Sequence, residues 1–423
     1  MLIEFSVVNF RSINERQTLS LVAGKGDELH CNVMEVKAPA TPDLLRSAVV
    51  YGPNAAGKSN LILALQFIRK LVVNSAQKGQ QGDKIDVSPF LMGGANVDDK
   101  PSEFELIFVE QGVRYQYGVT LMRQRIRSEW LIAYPKGSPQ TWFERGTGGE
   151  GSWKFGASFK GQRKWLWRES TRDNALFLST AVQLKSEQLM PVFEWFRERL
   201  RIIAPYPRLR PTFSIKECER DEQVRKQVTG FLRSADLGIE DIKISRRKHT
   251  QSEFSFPDDM PEPVRQKILK DIETQELTEV YLVHKALDGK DVLLDIDDES
   301  GGTQQLFALA GPLFDVLHNG WVLVIDELDT SLHPLLMRKL VQMFHDPTIN
   351  RNNAQLIFST HDTTILDREV FRRDQVWFVE KDRRLQTQLY PLTDFSPRKD
   401  ENFGRGYLQG RYGALPFVGE WRI

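Results

Sequence analysis

The residues Gly52-Pro53-Asn54-Ala55-Ala56-Gly57-Lys58-Ser59 fit the pattern G-x4-G-K-S. These types at this spacing bind phosphate. The glycines let backbone N–H groups approach phosphate oxygens without a Cβ in the way. Lys58 supplies a point charge for the β and γ phosphates, and the Ser59 hydroxyl is suited to coordinate Mg²⁺. A helical pattern follows from Asn60, and its positive end strengthens the same attraction. A second constellation is Val322-Leu323-Val324-Ile325-Asp326-Glu327, an apolar run ending in two carboxylates. Asp326 there is suited to hold Mg²⁺ through water, and Glu327 to orient or deprotonate an attacking water. Two weaker signals accompany them. Ser300-Gly301-Gly302 stands at the start of a helical pattern, where it either cradles a γ-phosphate or serves as a plain N-cap. His361 follows a short apolar run, where it either touches a γ-phosphate or is merely solvated.

Each of these groups needs an element to hold it. Ser47-Ala48-Val49-Val50-Tyr51 is apolar on both faces, as buried parallel strands are, and runs straight into Gly52. Leu61, Leu65, Ile68 and Val72 then recur at helical spacing. The runs 321–325 and 355–359 read as two further buried strands, separated by a helix around 334–345. Leu2–Phe10 reads as a half-buried strand. Alternation at Phe104, Leu106 and Phe108, then at Tyr115, Tyr117 and Val119, predicts an antiparallel meander. Residues 144–172 read as loop, and the last 28 residues show no assignable pattern. Apolar spacing at Leu189, Val192, Phe193, Phe196 and Leu200, and again at Val224, Val228, Phe231 and Leu232, predicts helices. The expected division is therefore 1–180, a first lobe with the phosphate loop; 181–285, a helical insertion with loops at 204–211 and 254–263; and 286–423, a second lobe.

The 423 residues carry 57 basic and 57 acidic side chains, with 40% hydrophobic content. That is ordinary for a globular chain and excludes disorder as a general description. The longest apolar runs are too short to span a membrane, and Glu4 interrupts any signal-peptide pattern. Cys31 and Cys218 are isolated, which argues against a disulfide scaffold or zinc site and for a reducing, cytoplasmic setting.

In chain order, the loop at 52–59, Ser-Gly-Gly at 300–302, Asp-Glu at 326–327 and His361 resemble the motifs of ABC-type ATPase heads. Those motifs are the P-loop, signature, Walker B pair and switch histidine. Ser300-Gly301-Gly302-Thr303-Gln304 resembles a signature motif with Glu299 in place of its leucine. Asn9-Phe10-Arg11-Ser12-Ile13 is similar to the opening of SMC, RecF and OLD-like heads. Leu328-Asp329-Thr330-Ser331-Leu332-His333-Pro334 is similar to their D-loop, with His333 where the transporter branch has Asp. Segments at 171–184, 235–239 and 410–417 resemble AbiL/RloA-type (AAA_15/AAA_21) bacterial anti-phage defence ATPases. The resemblance implies an α/β fold: an ABC-type P-loop head whose mixed sheet combines the meander with a parallel RecA-like core. It implies ATP and Mg²⁺ as cofactors, with Gly52 to Asn60, Arg11, Ser300, Gly301 and Gly302 around the nucleotide and Ser59 and Asp326 on the metal. Lys58, Glu327 and His361 would carry catalysis. It also implies a head-to-head dimer or higher homo-oligomer, and an effector partner such as a Toprim-like nuclease encoded nearby. The Q-loop glutamine stays open among Gln77, Gln80, Gln81 and Gln116.

The neutral total hides local charge. Residues 197–250 hold 14 Lys/Arg against 8 Asp/Glu, densest at Arg246-Arg247-Lys248-His249. Residues 151–172 hold six basic residues against Glu169, interleaved with Trp153, Trp165 and Trp167. Either patch suits DNA or RNA, or a docking protein. The functional expectation is an ATP-driven sensor and switch of antiviral defence. The alternative is a RecF/SMC-like DNA-repair clamp. A transporter subunit is disfavoured by the insertion, and a fused nuclease by the lack of a further acidic cluster.

Overall fold

The computed structural model describes residues 1–93, 100–146, 151–204, 209–235, 238–248, 260–266, 276–398 and 400–416. The chain forms two compact units, Met1–Pro207 with Val316–Ile423, and Arg208–Asp315.

The first unit contains the parallel core and the meander. Strands Leu200–Ile203, Val322–Ile325, Gln355–Ser359, Ser47–Tyr51 and Val376–Lys381 lie side by side and parallel, and Thr387–Pro391 adds an antiparallel edge. Ser47–Tyr51, Val322–Ile325 and Gln355–Ser359 are buried at every position, as strands covered on both faces must be. The second sheet has seven antiparallel strands. Its order runs Trp153–Phe155, Gln140–Arg145, Ile126–Tyr134, Val113–Leu121, Ser102–Glu110, Leu2–Val8, Gln17–Ser20. Alternation buries Phe104, Leu106 and Phe108 fully and leaves Glu103, Glu105 and Ile107 only partly covered. The helix Lys58–Asn74 packs Leu61, Leu65, Ile68 and Val72 into one core that includes residues of both sheets. Each such side chain contributes about 1.5–3 kcal/mol by burial. A buried amide ties the first strand to the parallel core: Gln355 accepts from the Leu2 amide at 2.6 Å and donates to the carbonyls of Leu2 and Leu45 at 3.0 and 3.1 Å.

The second unit is half helix and half sheet. Helices Thr212–Arg220 and Glu222–Ser234 precede three antiparallel strands, Ile239–Lys248, Glu276–Lys285 and Asp291–Asp295. A short 3-10 turn, Ile296–Asp298, leads into the helix Gly301–Asn319. Val228, Leu232, Ile242, Val280, Leu282, Leu309 and Leu313 are among its buried residues.

Several expectations differ from this. The inserted unit begins near 208 rather than 181, because Leu189, Val192, Phe193, Phe196 and Leu200 pack into the first unit's core. It also extends to 315 rather than 285, so the Ser-Gly-Gly segment belongs to it. It is not wholly helical: Ile242 and Ile244, and Val280 and Leu282, alternate with polar residues as strands do, a pattern missed beside the stronger helical periodicity. The expected loop 144–172 contains the strand Trp153–Phe155 and the helix Lys164–Glu169. The last residues contribute the helix Phe403–Leu408. Positions 205–208, 254–259, His249, Asp236-Leu237 and Phe417, singled out in the sequence, lie outside the described residues.

Candidate nucleotide site

Three adjacent parallel strands end at one place. Ser47–Tyr51 delivers the P-loop, Gln355–Ser359 delivers His361, and Val322–Ile325 delivers Asp326 and Glu327. The carboxyl ends of parallel strands are where open α/β sheets bind ligands.

The P-loop is held by its back. A Cβ on Gly52 would lie 2.2 Å from the Val379 carbonyl oxygen, and one on Gly57 would lie 2.1 Å from Thr387 Oγ1. Gly57 also has φ 116°, which side chains resist. Thr387 donates its hydroxyl to the Ala56 carbonyl at 2.8 Å and meets the Ser12 hydroxyl at 2.7 Å. Asn60 donates to Ser12 Oγ at 2.7 Å. Lys58 is buried, and its ammonium donates to the carbonyls of Gly52 at 2.8 Å and Pro53 at 3.2 Å. Burial lowers its pKa to about 8, against the attraction of Asp326, Glu327 and Asp329.

Ser359 organises the carboxylates. Its hydroxyl donates to Asp326 Oδ1 and accepts the Glu327 amide at 2.8 Å. Glu327 has a left-handed backbone, φ 54°, a strained geometry common at functional sites. Asp326 is 5% exposed, and its second oxygen has no partner among the described residues; the same holds for Asp329 Oδ1. An orphaned buried carboxylate oxygen beside a P-loop fits a Mg²⁺ ion, which takes one or two protein ligands and completes its shell with phosphate and water. Among the described residues no three acidic, His or Cys groups gather to hold a metal by themselves.

Asp329 Oδ2 accepts the His361 amide at 3.1 Å, and Tyr51 donates its hydroxyl to the Asp362 carbonyl at 3.0 Å. These bonds tie the histidine loop to the neighbouring strand tips. Partial desolvation and then the positive charge of Lys58 lower the pKa of the solvent-facing His361, which favours its neutral form. A cavity of about 500 Å³ opens here, lined by Gly52, Pro53, Asn54, His361, Tyr407 and Leu415 among others.

Other expected residues fall elsewhere. Arg11 has a left-handed backbone, φ 51°, its amide donates to the Ser88 carbonyl, and its guanidinium lies over the Phe10 ring. The contact with the P-loop is made by its neighbour Ser12 instead. Ser300 caps the helix Gly301–Asn319: its hydroxyl accepts the Thr303 amide at 3.2 Å and pairs with the Thr303 hydroxyl at 2.9 Å. Gly301 faces open space. Gln304 donates to the Glu299 carbonyl at 3.0 Å, and His284 pairs with Glu299 at 2.7 Å. These residues belong to the second unit. His333 is the N-cap of the helix Pro334–His345, accepting the Leu335 amide. Gln116 is bonded to Glu105 and Tyr134 within the antiparallel sheet. In the basic cluster, Arg246 pairs with Glu219 at 2.8 Å and Arg247 with Glu279 at 2.5 Å, so carboxylates engage both guanidiniums.

Three contributors were not foreseen: Ser12, Thr387 and the wall formed by 403–416. Thr387 stands 331 residues from Ala56, the P-loop residue it bonds, with no motif around it. The wall is aromatic: Tyr407 and Tyr412 stack on Phe378 with ring centroids 5.3 and 5.6 Å apart. Its signal was the aromatic and glycine content of 403–413, which carries no period.

The sequence matches the family described as "AAA domain, putative AbiEii toxin, Type IV TA system" over residues 47–367. No curated protein matches the chain. Solved structures similar to it include an SMC head domain from Thermotoga maritima, with 14% identity, TM-score 0.41, and 92% of this chain and 98% of that one covered. Another is an Smc head bound to the C-winged helix domain of ScpA, with 13% identity, TM-score 0.43, and 92% and 97% covered. A third is an Smc head with an extended coiled coil, bound to the C-terminal domain of ScpA derived from Pyrococcus furiosus, with 12% identity, TM-score 0.42, and 92% and 96% covered.

Proposed function

The chain belongs to the AAA_21 family of P-loop ATPase domains, and from that premise we propose that it hydrolyses ATP as the switch of a bacterial anti-phage, abortive-infection type system. The observation that carries the hydrolytic part is the convergence of Lys58, Asp326, Glu327 and His361 at three neighbouring strand tips. Lys58 exchanges its two loop carbonyls for the β and γ phosphates. Ser59 and the unpartnered oxygen of Asp326 would hold Mg²⁺, which would neutralise phosphate charge. Glu327, aimed by its strained backbone and by Ser359, orients and deprotonates the attacking water. The neutral His361 offers a hydrogen bond at the γ-phosphate side.

Ser300, Gly301 and Gly302 complete the site from a second copy. Support for this lies in the open space at Gly301 and in the start of a 19-residue helix behind it, whose N-terminus attracts anions. ATP then acts as adhesive between two heads, and hydrolysis releases them. The work done by this cycle is to hold or activate an effector, for which a Toprim-like nuclease is the leading candidate, in the cytoplasm. No described helix is long and apolar enough to cross a membrane. The basic cluster of the inserted unit lends a RecF/SMC-like DNA-repair clamp no support, because Arg246 and Arg247 are already engaged by carboxylates.

Glu327→Gln tests the reading. The variant should bind ATP normally, lose hydrolysis by about 100-fold or more, and sediment as a dimer with ATP. A wild-type hydrolysis rate in this variant removes Glu327 from the mechanism.

A further inference from the structure

Away from the P-loop, the antiparallel lobe carries two basic cavities on either side of one short helix. The first, about 490 Å³, is lined by Arg125, Arg127, Arg145 and Arg168 against Glu169 and Asp173. Arg145 is fixed deep in it by the Ala175 carbonyl at 2.8 Å and by the buried Glu129 at 4.0 Å. Arg127 makes no ion pair or hydrogen bond among the described residues. The second cavity, about 600 Å³, is lined by Lys160, Arg163 and Lys185 against Glu187. The helix Lys164–Glu169 separates them, contributing Arg168 to the first and Trp167 to the second.

The ridge of that helix is apolar and bare. Trp165 is 64% exposed and Leu166 47%. The Arg168 guanidinium lies 4.9 Å from the Trp165 ring and 5.8 Å from the Trp153 ring. This orders one indole face at the rim of an arginine-lined cavity. Alternating cationic hollows and an exposed aromatic face match a chain with a phosphate at each repeat and a flat base between.

We propose that this face of the antiparallel lobe is a binding site for single-stranded nucleic acid, with backbone phosphates in the two basic cavities and a base stacked on Trp165. Two hollows flanking one stacking face favour a polynucleotide over a free nucleotide. The site is independent of the ATPase reading, since none of its residues belongs to the P-loop cluster.

The test is fluorescence anisotropy of a labelled oligo-dT of about 15 nucleotides, with EDTA and without ATP. Wild-type protein should bind it with an affinity that falls steeply with salt. Arg127→Glu and Trp165→Ala, both at exposed positions, should each weaken binding about tenfold or more and leave ATP hydrolysis unchanged. Arg246→Glu should leave binding unchanged. The proposal is overturned by absence of binding, by insensitivity to Arg127→Glu or Trp165→Ala, or by loss in Arg246→Glu. Full displacement by AMP overturns it in favour of a free nucleotide, and displacement by poly-glutamate in favour of an acidic protein partner.

Discussion

The chemistry turns on how few groups hold the carboxylates and the lysine in place. Ser359 meets Asp326 and Glu327 at once, so one hydroxyl holds both the proposed metal ligand and the proposed base. A hydrogen bond to a charged group is worth about 1.5–3 kcal/mol. Ser359→Ala should therefore slow single-turnover hydrolysis by about 10- to 100-fold, while ATP affinity measured without Mg²⁺ stays unchanged. Lys58 gives a proton-linked prediction. Its pKa near 8 in the nucleotide-free protein leaves about half the side chains neutral at pH 8. Triphosphate charge raises that pKa, so binding at pH 8 should take up about half a proton per site at Lys58, and Lys58 should contribute almost none at pH 6.5. Calorimetry in buffers of differing ionisation enthalpy reads this uptake, and Lys58→Arg should abolish it. At this scale the sequence was most legible, because the P-loop and Asp326-Glu327 are contiguous. Ser12 was missed because a left-handed turn at Arg11, unreadable from residue types alone, brings its neighbour to the loop.

At the scale of elements, the P-loop is shaped from behind by a strand at the far end of the chain. Thr387 touches Ala56, Ser12 and the space where a Gly57 side chain would be. Thr387→Val keeps the volume but removes both hydrogen bonds, and should raise the ATP dissociation constant and lower stability by about 1–3 kcal/mol; nucleotide titration and denaturant melts measure the two. Gly57→Ala should be worse in both, since it adds strain at positive φ to the clash with Thr387. Buried strands were legible from unbroken apolar runs, and the meander from its alternation. The helix Phe403–Leu408 was not, because six residues are too few to show a period. Strand pairing between Ile239–Lys248 and Glu276–Lys285 was hidden by the sequence distance across which it forms.

For the whole molecule, the ordering of motifs is the informative feature. The P-loop, Asp326-Glu327 and His361 belong to one unit, whereas Ser300-Gly301-Gly302 belongs to the other. The position of that boundary was illegible in sequence, because the buried Leu189–Leu200 stretch looks like the helices that follow but packs elsewhere. The central claim is that one copy's P-loop works with another copy's Ser300. Lys58→Ala and Ser300→Arg should each be inactive alone, one lacking the phosphate lysine and the other blocking the cradle. Mixed in equal amounts, they form hybrid dimers with one intact composite site, so ATPase activity should return to about a quarter of the wild-type rate. A mixture that stays inactive, or a Ser300→Arg protein that hydrolyses ATP like the wild type, would contradict it.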